Sequence, residues 1–140
     1  MTSETTERGL KVFAEMMGED RAAEMRAGLT GNHFGAAIGQ LAVDYAFGDV
    51  WARDGLARKQ RSLVVIGILI AQRQVAELKN HVRIGIANGL TSRELEEVLI
   101  QAIPYTGFPA VASAMSAVIE VLRELGLDTA TRTSEERGML

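Results

Sequence analysis

The sequence predicts an all-α fold, a compact bundle of about six to seven helices that forms oligomers. Three observations carry that prediction. Apolar residues recur at helical spacing over most of the chain. Proline occurs only twice, at Pro104 and Pro109. Strand signals are few, because no Asn-Gly turn sits between alternating apolar and polar runs.

The elements follow in order. A first helix spans about Glu4 to Met17, presents Leu10, Phe13, Met16 and Met17, and stops at Gly18. A second runs from about Glu19 to Leu29, before the turn cluster Thr30-Gly31-Asn32. A third covers about Phe34 to Phe47, and Gly48 to Gly55, with Trp51, is expected to be irregular. A fourth spans about Leu56 to Arg73. Its middle, Leu63 to Ala71, is apolar on every side and must be covered on every side. In a chain of 140 residues, another subunit is expected to supply part of that cover. A fifth runs from about Val75 to Asn88, with Gly89 as its left-handed terminator. Thr91-Ser92-Arg93-Glu94 fits a capping box and opens the sixth, which reaches about Pro104. The seventh runs from about Pro109 to Leu125 and is closed by Gly126. Residues 1–127 are expected to form a single helical domain, and 128–140 a polar tail.

Composition narrows the function. Net charge is −3, from 15 basic and 18 acidic residues without a basic block, so nucleic acid is not an expected partner. The chain has no cysteine, which excludes disulfides, thiolate metal sites and thiol peroxidase chemistry. The longest uncharged apolar run, Ser62 to Gln72, is about half the roughly 20 residues of a membrane span. The first ten residues are polar and mixed in charge, unlike a signal peptide. A cytoplasmic protein with no membrane partner is expected.

The fifth helix holds the residues best suited to chemistry. At about 100° per residue, His81 lies about 40° and Asn88 about 20° from Glu77. The three make one narrow polar stripe flanked by Ile84, Leu78 and Val82, while Lys79 and Arg83 point away. A carboxylate one turn before an imidazole can fix its tautomer and raise its pKa, which suits a proton-transfer group. The alternative is a solvated surface pair of ordinary kind. A metal site is not expected, because only His33 and His81 are available and no His-Glu-x-x-His pattern occurs. His33 reads as a surface or capping residue. Arg58, Lys59 and Arg61 open the fourth helix against its dipole, which hints at an ion pair or an anion site. Arg61, deepest of the three, is the stronger candidate for such a role; Arg58 and Lys59 fit a solvated first turn equally well. Trp51 and Tyr105 can line a pocket or simply pack.

Several of these segments together resemble the carboxymuconolactone decarboxylase family. They are Gly48-Asp49-Val50-Trp51-Ala52-Arg53-Asp54-Gly55-Leu56, then Arg58 and Arg61-Ser62-Leu63. Glu77-Leu78-Lys79-Asn80-His81-Val82-Arg83 follows, with Asn88-Gly89 and Thr91, and Tyr105-Thr106-Gly107-Phe108-Pro109 completes the pattern. The resemblance extends over about Arg8 to Leu125. It departs at Asp54, where a proline is usual, and in the second helix.

The resemblance implies an alkylhydroperoxidase D-like fold assembled as a homotrimer or homohexamer. The peroxidase relatives use Cys-x-x-Cys-x-x-x-His; the matching positions here are Gln74, Glu77 and His81, so both sulfurs are missing. The implied activity is a carboxy-lyase reaction, 4-carboxymuconolactone to 3-oxoadipate enol-lactone plus CO2, in protocatechuate breakdown. The substrate, a small acidic lactone, contains its own electron sink, so no cofactor is expected. His81 and Glu77 would be catalytic, and Arg61, Trp51, Tyr105 and Asn88 would bind substrate. Two other classes stay open. One is a lactone hydrolase, isomerase or cyclase on the same scaffold acting on another acidic ring; the other is a non-catalytic oligomeric binding protein.

Overall fold

The computed structural model describes residues 2–139. Met1 and Leu140, the outer ends of the expected domain and tail, lie outside the described residues. Among the described residues the secondary structure is helical, with no strand. The helices are α1 (Glu4–Met17), α2 (Glu19–Gly28), α3 (Ala36–Leu41), which continues as a π-helical stretch (Ala42–Trp51), α4 (Arg58–Ala71), α5 (Val75–Ala87), α6 (Ser92–Thr106) and α7 (Phe108–Glu124). They fall into two units, one up to Arg58 and one from Lys59 onward.

In the first unit, Ser3 caps α1 by accepting from the Thr6 amide at 3.1 Å. Its apolar stripe buries Leu10, Val12, Phe13 and Met16. The π-helical stretch replaces the expected α-helix to Phe47 and part of the expected loop; only Ala52 to Ala57 are irregular. Contacts with α1 accompany this geometry. Thr6 Oγ1 donates to Asp44 Oδ1 at 2.6 Å, and Gln40 Nε2 donates to Asp44 Oδ2 at 2.9 Å. Arg8 Nε donates to the Gly48 carbonyl at 2.7 Å, and Phe13 meets Phe47 edge-on at 5.1 Å. The two backbones approach so closely that a Cβ on Gly9 would lie 2.1 Å from the Val43 carbonyl oxygen.

In the second unit, α5, α6 and α7 pack around Leu78, Val82, Leu95, Leu99, Ala117, Val118 and Val121, with Ile66 and Ile70 from α4. The Thr91–Glu94 capping box forms as expected, with both bonds at 3.1 Å. Gly89 at φ +103° and Gly126 at φ +70° follow α5 and α7 as expected. The expected full cover of the fourth helix is not met within one chain. It buries Ser62, Ile66 and Ile70 but leaves Val64 54% and Ile68 48% exposed. The most thoroughly buried helix is α7. The segment after Leu127 is ordered against it. Ser116 Oγ donates to Glu135 Oε2 at 3.0 Å, Arg123 Nη2 donates to Glu136 Oε2 at 2.6 Å, and Thr133 and Ser134 are buried.

No helix of the described residues is long and apolar enough to cross a membrane.

Candidate active site

The fifth helix has two polar faces with different duties. On one, Arg83 holds Glu124 of α7 through Nε at 2.6 Å and Nη2 at 2.9 Å, and Lys79 pairs with Glu120. These contacts dock α5 on α7 and confirm that Lys79 and Arg83 point away from the stripe. The other face carries Glu77 in the first turn, His81 in the middle and Asn88 at the C-cap. Glu77 is exposed, and His81 and Asn88 are half-buried. Leu78, Val82 and Ile84 around His81 are buried, and so is the His81 Nδ1 atom itself.

That surrounding reverses one expectation. Burial among aliphatic side chains pushes the His81 imidazole below its ordinary value of 6.5. The charge of Glu77 pushes the other way, as expected, but is the lesser influence. The imidazole is therefore mainly neutral at pH 7, with its basicity set by two opposed local causes.

The start of α4 meets the end of this stripe. Asn88 Nδ2 donates to the hydroxyl of Ser62 at 3.0 Å, and Ser62 has 0% exposure. Arg61 precedes it and is half-buried, with its Nε atom inside the protein. In the same turn Arg58 pairs with Glu15, and Lys59 with Glu94 at 2.8 Å. Sequence reasoning missed Ser62 because it counts as the head of an uncharged run. The available signal was a hydroxyl at a helical position facing the core, where it requires a partner.

The remaining candidates lie on other elements. Tyr105 is 81% exposed and lines an open apolar groove of about 760 Å³ between α4 and α6, with Val64, Ile68 and Val98. Val64 is roughly 160° around α4 from Ser62, so this groove lies on the side of the helix away from Asn88. Trp51 ends the π-helical stretch of the first unit and is buried. His33 is exposed, as expected of a surface residue, and its carbonyl accepts from the Ala36 amide at 3.1 Å.

Comparison with known proteins identifies the family. Residues 22–120 match the sequence model of the carboxymuconolactone decarboxylase family. The chain is 37% identical over 120 residues to a 4-carboxymuconolactone decarboxylase of Acinetobacter baylyi, covering 86% of this chain and 88% of that protein. It is 33% identical over 119 residues to a nitrosuccinic acid decarboxylase of Metarhizium robertsii, covering 85% of this chain and 82% of that one. An uncharacterized 15.0 kDa protein of Paracoccus denitrificans is 36% identical over 80 residues, 56% of this chain and 60% of that protein. The family match spans more than half of the chain and contains Glu77, His81, Arg61 and Ser62. The chain therefore belongs to the carboxymuconolactone decarboxylase family.

Proposed function

We propose that the protein is a cofactor-independent decarboxylase of small substrates bearing two carboxylates, with 4-carboxymuconolactone as the first candidate. The observation that carries the reading is His81, half-buried one turn after Glu77, in a chain whose relatives include two decarboxylases.

The chemistry makes few demands. The bond between the γ carbon and its carboxylate breaks, and CO2 leaves without the bonding pair. That pair passes through the ring double bond to the lactone carbonyl, giving a 2-oxyfuran anion. A proton then adds to the carbon next to the carbonyl and yields 3-oxoadipate enol-lactone. Arg61 binds a substrate carboxylate through its guanidinium fork. His81, charged with a proton when the anionic substrate binds beside it, delivers that proton, and Glu77 stabilises the imidazolium. Asn88 completes substrate binding in this reading. In nitrosuccinic acid the departing pair can instead rest on the nitro group, so the same residues suit a second substrate. Both compounds share two carboxylates and an internal acceptor.

Release of CO2 from each compound by the purified, chelator-treated and dialysed protein tests the reading. Turnover of one of them at more than background rate is expected. Binding without turnover of either would replace the reading with that of a binding protein, and hydrolysis of the lactone without CO2 would replace it with that of a hydrolase.

We also propose assembly as a homotrimer or homohexamer. Support comes from the open groove beside Val64 and Ile68 and from a second exposed stripe, Phe34, Ile38, Leu41 and Tyr45, spaced at helical repeats. Light scattering should give a mass of three or six chains; a monodisperse 15.1 kDa species would contradict the proposal.

A further inference from the structure

We infer that Ser62 is a positioning residue, which holds Asn88 and the first turns of α4 so that Arg61 and His81 serve one substrate. The inference rests on the decarboxylase reading above. A serine on the core-facing side of a helix costs stability unless its hydroxyl finds a partner. Ile66 and Ile70, one and two turns further along the same face, show what packing alone would place there. Ser62 is fully buried, and it spends its oxygen on the side-chain amide of Asn88 at 3.0 Å.

The position of Asn88 gives the bond its purpose. It caps α5, its backbone amide donates to the Ile84 carbonyl at 2.8 Å, and it shares the stripe of Glu77 and His81. The Ser62 bond is therefore a cross-link between the helix that carries His81 and the residue next to Arg61. It also selects one orientation of the Asn88 amide, with nitrogen toward α4. A carbon at position 62 would leave helix packing nearly intact but would release that amide and the register of Arg61 against the stripe.

The test is a double-mutant cycle on Ser62→Ala and Asn88→Ala, read as kcat, KM and melting temperature. Ser62→Ala is expected to lower kcat/KM about tenfold to hundredfold, mainly through KM, as a displaced binding group does. The midpoint of the kcat/KM pH profile should not move, because the surroundings of His81 are unchanged. In the Asn88→Ala background the further effect of Ser62→Ala should vanish, since Ser62 acts through Asn88. Affinity for succinate, a stable dicarboxylate, measured by calorimetry should fall in the same order. A lower melting temperature with unchanged kcat/KM and unchanged succinate affinity would reduce the pair to packing and overturn the inference. Multiplicative effects of the two substitutions would overturn it as well. If the wild type turns over neither lactone nor nitrosuccinic acid but binds succinate, the decarboxylase reading fails, and the Ser62→Ala affinity still decides the positioning role. A wild type that neither turns over nor binds overturns both.

Discussion

Replacing His81 with alanine is expected to lower kcat about 10²- to 10⁴-fold, the usual share of a positioned acid–base group. The fold should survive, because His81 is half-buried beside residues that do the packing, Leu78, Val82 and Ile84. Glu77→Gln should cost less, since it keeps the shape and removes only the charge that favours the imidazolium. The pH dependence has a definite sign. In the free protein His81 titrates below 6.5, so kcat/KM should fall as pH rises through that lower value if the imidazolium is the acid. In the complex the substrate carboxylates favour the charged ring, so the midpoint of kcat should lie higher. Stability behaves oppositely: the contribution of the neutral ring is complete above 6.5 and fades as pH falls from 6.5 toward the folded value. His81→Ala should lose that acid-side decline. The deciding measurements are pH–rate profiles and melts of both variants on one substrate. Wild-type turnover by His81→Ala would refute its catalytic role.

Gly9→Ala is expected to destabilise the first unit by about 3 kcal/mol or more, the upper range for overpacking. The added methyl would meet backbone, the Val43 carbonyl oxygen at 2.1 Å, rather than the movable end of a side chain. Relief requires α1 and the π-helical stretch to separate, which would also strain the Thr6–Asp44 and Arg8–Gly48 bonds. Gly28→Ala is the control, because its Cβ would meet nothing within 4 Å. Urea unfolding of both variants, followed by Trp51 fluorescence, separates them. A midpoint for Gly9→Ala equal to that of the control would show that the close approach is not maintained in solution.

Much of the fold was legible because the signals were local. Gly18 ends α1 at the bound that spacing gives, and the Thr91–Glu94 box is a motif with one structural meaning. The stripe of Glu77, His81 and Asn88 needed only the pitch of a helix. What was not legible depends on partners distant in sequence. The π-helical stretch from Ala42 has no separate signature at a period near 3.6 and lies against α1. The buried role of Ser62 depends on a residue 26 positions away. The direction of the His81 shift depends on how much of the ring the fold covers, which spacing does not measure. The exposed side of α4 follows from what the other helices leave uncovered.

The start of α5 has a wider meaning for how this scaffold changes chemistry. Gln74 is its N-cap and Glu77 lies in its first turn, where the dipole of the helix favours negative charge. These are the two positions at which the peroxidase relatives, by the resemblance drawn above, carry sulfur. The packing side of the helix, with Lys79 and Arg83 bound to α7, has no part in that choice. Under the proposed mechanism, the chemistry of this stretch is set by its outward residues, and exchanging them requires no new core.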